Sequence, residues 1–412
     1  MDFRILPCKL IAHLFVVLSV WYSFEAVAQS RTKVQWAGVS LAGQYDQLPR
    51  LMPATFSLLT PEFRLKLDKR VSQAVKELDA AHPSLNFLVD EQMLQGDDSY
   101  ALTFALAGES ITSVTMEDKE YADFALQVLV LIANVSKDPN KQRIVASYPV
   151  QVRRTALIPD GRKPSVEDGR QVFSELLMGL GGKIDVVAEW RDRLRDVRLR
   201  EREVWISVGP LKIPPEVQAQ GGFSKDLADA TAFKVSSVIE SNISRSANIP
   251  IVPGGLDSAL GELTLSFADR GIVAFRKPDP SYVLDVSVYV LASRSAEEAI
   301  ARERKFSTAF VGGFQVDYSS VDPDRRLTNE VSLRLQKQGA ISYIGTTKDA
   351  RKFDNAEQFS RLISAFADEL SNNLIPSNVK WLEQAKAGSE KKSPAEMAKL
   401  IRSRLPAPVK GD

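Results

Sequence analysis

Few residues in this chain could do nucleophilic or metal chemistry. Its 412 residues include one cysteine, Cys8, and two histidines, His13 and His82. Cys8 and His13 fall in a leader, so the expected mature chain keeps His82 and no thiol. That excludes a thiolate nucleophile, disulfides, and a Cys/His zinc centre, which needs several such ligands. A serine triad would need His82 as its base, and the chain has no Gly-x-Ser-x-Gly turn. His82 stands between the end of a predicted helix and Pro83, where it reads as a helix-end residue. The segment Met178-Gly179-Leu180-Gly181-Gly182-Lys183 resembles a phosphate loop. However, Leu177 and Ile184 occupy the positions where that motif needs Gly and Ser or Thr. Gly179 reads instead as the stop of the preceding helix. Asp90, Glu91, Asp97 and Asp98 offer oxygen ligands of the kind calcium takes. They lack EF-hand spacing and read as solvated loop carboxylates. Catalysis by carboxylates alone, as in glycosidases, leaves no trace in spacing. No catalytic, cofactor-binding or metal-ligating residue is therefore assigned. The expectation is a protein without cofactor that is not an enzyme.

The leader is built for export. Arg4 and Lys9 are its charged part, Leu10 to Phe24 its apolar part, and Ala26-Val27-Ala28 its small-x-small cleavage site. Ala26 and Ala28 are the expected signal-peptidase recognition residues, with a mature start near Gln29. An uncleaved anchor is disfavoured because a span needs roughly 20 apolar residues and Glu25 interrupts this stretch. No later segment is apolar enough to span, and Phe124 to Ala133 suits a buried strand. The chain is expected to be exported.

The whole chain carries 53 basic and 52 acidic residues, and the leader removes two of each. A balance near zero argues against a nucleic-acid binder. Hydrophobic content of 44% with 25% charged is that of a globular protein, and the length suits two or three domains.

A similar order of elements occurs twice, which predicts an α/β (α+β) fold of two similar lobes. Each lobe would be a mainly antiparallel sheet with amphipathic helices, consistent with an internal duplication. The predicted divisions are a signal peptide over 1–28, a first lobe over 29–182, a charged connecting helix over 183–202, a second lobe over 203–380 and a basic tail over 381–412. Strand-like Val34 to Leu41 answers Glu203 to Val208. A helix capped by Thr60-Pro61, with Leu67, Val71, Ala74, Val75 and Leu78 on one face, answers one starting near Ser224. The stretch Leu102 to Glu109 resembles Leu263 to Arg270. Beyond that, either Phe124 to Val135 answers Phe306 to Val321 or Phe124 to Leu131 answers Val283 to Val290, each requiring an insertion in the second half. Both halves end in a helix, one from Ser165 and one carrying Phe359, Leu362, Ile363, Phe366 and Leu370. The arginine-dense stretch Trp190 to Glu203 reads as a solvated helix between the lobes, with Val187, Trp190, Leu194 and Val197, in and just before it, spaced for helix packing.

In the tail, Ser393-Pro394-Ala395-Glu396 is a capping box. Met397, Leu400, Ile401 and Leu405 follow at helical spacing. So short a helix is marginal alone. It is expected to order on a surface, either the protein's own body or a partner, as a docking helix.

The second half resembles the small α/β domain of several bacterial envelope assembly proteins. The likeness rests on strand Val204 to Val208, the stretch Tyr282-Val283-Leu284-Asp285-Val286 leading to a strand pair around Asp322, and the final helix Phe359 to Leu370. Such domains occur in the curli secretion channel family, the outer-membrane activators of penicillin-binding proteins and the amino-terminal domain of TolB. The resemblance covers about 170 residues and carries over no residue-level role. It implies a non-enzymatic periplasmic binding or assembly factor of the cell envelope with an envelope protein partner, no nucleic acid and no membrane span in the mature chain. The competing expectation is a carboxylate-dependent hydrolase acting on envelope glycans.

Overall fold

The computed structural model describes residues 31–89, 99–116, 119–136, 138–159, 162–180, 182, 184–199, 204–253, 261–267, 271–300, 303–322, 326–345, 355–374, 378–383, 386–387 and 394–404. Among them the fold is α+β, as predicted, and contains two mixed sheets. The leader, with Ala26 and Ala28, lies outside the described residues, as do Asp90, Glu91, Asp97 and Asp98.

The first sheet starts with β1 (Thr32–Ala42). Two short helices follow, α1 (Leu48–Leu51) and α2 (Pro53–Leu58), then the long α3 (Pro61–Asp79). Helix α3 starts where predicted: the Thr60 side chain accepts from Phe63 N, and proline fills the first helical position. Its five predicted apolar residues are all buried. Strands β2 (Leu85–Leu88), β3 (Tyr100–Met116), β4 (Lys119–Asn134) and β5 (Arg143–Ile158) complete the run. β1 lies parallel to β2 and β3, and β3, β4 and β5 are antiparallel.

Helix α4 (Val166–Met178) opens with a capping box between Ser165 and Asp168 and ends at Gly179 in the left-handed region, φ 68°. Only a residue without Cβ takes that conformation cheaply. Helix α5 (Val186–Arg195) corrects the reading of 183–202 as a charged connector. Val187, Trp190 and Leu194 lie in the first core, and Trp190 Nε1 donates to Leu129 O at 3.0 Å. Of the charges that suggested a solvated helix, Asp192 and Arg195 lie on its outer side, whereas Arg193 is buried.

The second sheet has its own helices. In order come β6 (Ile206–Val208), α6 (Pro215–Gly221), α7 (Lys225–Ala247), β7 (Glu262–Phe267), β8 (Gly271–Arg276), β9 (Tyr282–Ile300), β10 (Glu303–Val321) and β11 (Leu327–Gly345). The chain then forms α8 (Asn355–Leu374), α9 (Val379–Leu382), β12 (Lys386–Ala387) and α10 (Pro394–Arg404). The sheet order is β12-β11-β10-β9-β6, and α7 and α8 pack on it through Val235, Val238, Ile243, Phe359, Ile363 and Phe366.

The pairing senses repeat. β6 runs parallel to β9 and makes a parallel bridge to Ile251, as β1 runs parallel to β3 and β2. β9, β10 and β11 are antiparallel in turn, like β3, β4 and β5. In pairing order alone, Phe306 to Val321 holds the place in the second sheet that β4 holds in the first.

One expected correspondence fails. Leu263 to Phe267 is not the counterpart of Leu102 to Ala107, a place taken by β9. Instead β7 joins the first sheet, antiparallel to β1, with Ser40 opposite Phe267. β8 meets β5 at Arg143–Arg276. The first sheet thus returns on itself through β1-β3-β4-β5-β8-β7, and the hairpin 262–276, assigned by sequence to the second lobe, belongs structurally to the first sheet. Edge strands that find partners in this way are protected from unwanted pairing.

Candidate ligand cleft beside helix α7

Alternation along β3 and β4 gives the first sheet two apolar faces. Leu102, Phe104, Leu106, Phe124 and Val128 face the helices of the first lobe, whereas Ala101, Ala105, Ala107, Leu129 and Leu131 face the other way. One end of the alanine-rich face is covered by the β7–β8 hairpin through Leu263, Leu265 and Phe275. The other end is covered by α7, which comes close because the sheet is smooth there. A Cβ on Gly108 would stand 2.0 Å from Cζ of Phe233, so any side chain there would have to displace that ring.

Helix α7 is buried on two sides. Its apolar side belongs to the second core, while Lys234, Ser237, Glu240, Ser241 and Ser244 are buried too. Their spacing of three and four residues makes one polar stripe, and most of its members find partners on the first lobe. Lys234 pairs with Asp123, which also accepts from Arg153 Nη2 at 3.1 Å. Ser237 Oγ donates to Gln127 Oε1 at 3.1 Å, and Gln127 Nε2 donates to Glu240 Oε2 at 2.7 Å. Ser241 Oγ accepts from Gln151 N at 3.2 Å. At the helix end, Arg193 of α5 donates to Ser244 O at 2.6 Å and Asn248 Oδ1 at 3.0 Å, its guanidinium 4.5 Å from the Tyr148 ring centroid. A cation satisfying the last carbonyls of a helix is favoured by the helix dipole as well.

Between α7 and the hairpin the two covers do not meet, which leaves a cleft of about 960 Å³. Ala107 and Gln127 form its floor, Phe233, Ser236 and Glu240 one wall, and Glu262, Arg276 and Lys277 the other. The volume is at the upper end of what small-molecule sites use, roughly 300–1,000 Å³. Burial raises the Glu240 carboxyl to about 7, although the Gln127 hydrogen bond and the Lys277 charge both oppose the shift. The cleft therefore contains an acid that is largely protonated below neutral pH. For Asp123, burial would raise its carboxyl, but the charges of Lys234 and then Arg153 outweigh burial and leave it below the ordinary range.

The residues singled out by sequence lie elsewhere. His82 is buried; Nδ1 accepts from Leu85 N at 2.9 Å and Nε2 lies 3.2 Å from Leu194 O. Desolvation, then the Arg198 charge, lowers it to about 4. It ties the end of α3 to α5 as a neutral ring. Ile401 and Ala398 of α10 lie in the second core and Leu400 packs against it. Ile401, read as part of a docking helix, therefore has the protein's own body as its surface and is not open to a partner. The Met397 side chain and Leu405 lie outside the described residues. Gln127 and Glu240 escaped sequence reasoning. The available signal was the polar stripe from Lys234 to Ser244, which has helical spacing but runs between positions that are themselves apolar. Among the described residues no three His, Cys, Asp or Glu side chains are placed to hold a metal ion, and no helix is long and apolar enough to cross a membrane.

No family model matches the chain, and no curated protein matches it by sequence. Solved structures similar to part of it include a minor lipoprotein from Acinetobacter baumannii, at 7% identity and TM-score 0.22, covering 46% of this chain and 98% of that one. A neuraminyllactose-binding hemagglutinin homolog from Helicobacter pylori matches at 11% identity and TM-score 0.27, covering 49% and 92%. A hypothetical protein from Chlamydia trachomatis matches at 8% and 0.21, covering 42% and 97%. Such scores carry no argument about what this chain does.

Proposed function

We propose that this protein is a non-enzymatic binding or assembly factor of the bacterial cell envelope, exported to the periplasm, with its ligand site in the cleft beside α7. The observation that supports this most is the construction of the cleft. Its lining comes from the first sheet, from α7 and, through Ser207 and Val208, from β6 of the second sheet. Gln127 and Glu240 stand beside apolar Ala107, Phe233 and Val252, a mixture of the kind that orients a ligand. The chemistry available favours binding over turnover. The one histidine of the expected mature chain is held in helix-end hydrogen bonds and does not line the cleft, and that chain has no thiol.

A carboxylate-dependent hydrolase acting on envelope glycans is the second reading. What favours it is a carboxyl raised to about 7 in a cleft that Glu262 and Asp279 also line, since glycan hydrolysis needs one protonated and one ionised acid. The deciding experiment pairs calorimetric titration of the purified protein with envelope glycan fragments against a hydrolysis assay on the same fragments, with pull-down from envelope extracts alongside. Saturable binding or a stable protein partner without turnover supports the binding role. Turnover abolished by Glu240→Gln in a variant that still folds would overturn it.

A further inference from the structure

The outer part of β9 is the most exposed regular structure among the described residues. Every residue from Ala292 to Ile300 is exposed, although each is paired with β10 on one side. β6 reaches β9 only at Tyr282, Val283 and Leu284, with one further bridge from Lys212 to Ser287. Among the described residues nothing pairs with the other edge of β9 beyond that point, and its backbone N–H and C=O groups form an open template for another strand.

We propose that this edge pairs with the same edge of a second copy of the chain, antiparallel about a two-fold axis at Ala296, and joins two second sheets into one. The charge pattern selects this occupant and this register. In antiparallel pairing directly opposite side chains lie on the same face. An axis at Ala296 sets Arg294 opposite Glu298 of the second copy, and by symmetry does so twice. Ala292 then faces Ile300, Ser295 faces Glu297, and Ser293 faces Ala299. Axes at 294, 297 or 298 would each set a like charge against itself, and one at 295 makes no ion pair. Arg294 and Glu298 form no ion pair within the chain among the described residues. Lys305, which stands opposite Glu298 on β10, is not within ion-pair distance, and Glu297 is already taken by Arg304. The pair of residues needed across the axis is thus available on both copies.

The test is sedimentation velocity of the full chain over a concentration series, with charge reversals at the edge. The expected result is a monomer–dimer equilibrium weakened about tenfold or more by Arg294→Glu or Glu298→Arg alone and restored to within about threefold by the double reversal, because opposite charges stabilise and like charges destabilise facing positions. Both sites are exposed on a strand already paired with β10, and an unchanged melting temperature checks that each variant folds. Register is read separately in a Cys8→Ser chain. Ala296→Cys should oxidise to a disulfide-linked dimer. Ser295→Cys should not, since its copies would stand roughly 8 Å apart, beyond disulfide reach. A monomer at all concentrations overturns the proposal. So does a dimer indifferent to the single reversals, or one that cross-links at 295 as readily as at 296.

Discussion

Gln127 on β4 and Glu240 on α7, 113 residues apart, meet at 2.7 Å where the floor of the cleft joins its wall. The amide is held in turn by Ser237 Oγ on its carbonyl, which orients its N–H₂ toward the carboxylate. This chain of three side chains spans the junction between the first sheet and the helix of the second lobe. It also makes the junction sensitive to pH.

Glu240 and His82 should give opposite slopes of stability against pH. Glu240 titrates at about 7 in the fold against an ordinary value of 4.5. Its contribution is complete below 4.5 and is lost as pH rises through 7. His82 titrates at about 4 against 6.5, so its contribution is complete above 6.5 and is lost as pH falls through 4. Each shift corresponds to roughly 3 kcal/mol. Between about 4.5 and 6.5 the two slopes should nearly cancel in the wild type. Urea midpoints measured across this range for Glu240→Gln should fall toward acid, and those for His82→Gln should rise toward acid. Parallel curves for both variants would contradict the assignment.

The buried pair of Lys234 and Asp123 should show the asymmetry of charges out of water. Lys234→Met leaves the Asp123 carboxylate with Arg153 as its remaining cation and should cost about 3–5 kcal/mol. Replacing both, as Asp123→Leu with Lys234→Met, should cost less than the single change, because no uncompensated charge remains. Chemical denaturation of the three variants measures the difference.

Phe366 stacks on Phe314 with ring centroids 3.8 Å apart and an interplanar angle of 5°, and both are buried. Phe366→Ala should therefore destabilise by roughly 3–5 kcal/mol. A loss below about 1 kcal/mol would place the ring outside a packed core.

Ile401 is 1% exposed in the second core. Ile401→Ala should cost about 2–5 kcal/mol, and removal of α10 should lower the melting temperature of the protein. An unchanged melting temperature after truncation beyond Lys386 would mean that the helix is not held by the core.

Local features were the legible part of the sequence. Thr60-Pro61 and Ser165 start helices and Gly179 ends one because caps are decided by a few adjacent residues. The stripes Leu67 to Leu78 and Phe359 to Leu370 are buried because an apolar face of helical period has to be covered. The α+β class and the alternation of strands and helices follow from the same short-range periodicities.

Two things were decided only in three dimensions. The first is where the hairpin 262–276 pairs. Its pattern of alternating apolar residues fits either sheet, and the free edge of β1 near Ser40 to Ala42 chose the first. The second is the cleft. Periodicity marks Lys234, Ser237, Glu240 and Ser241 as the polar side of α7, and polar sides usually face water. Here a second layer supplies Asp123, Gln127 and Gln151 at hydrogen-bonding distance, so these groups find protein partners and the stripe becomes an interface. A sequence pattern reports which groups need partners, whereas the distance between segments more than 100 residues apart decides whether those partners are water or protein.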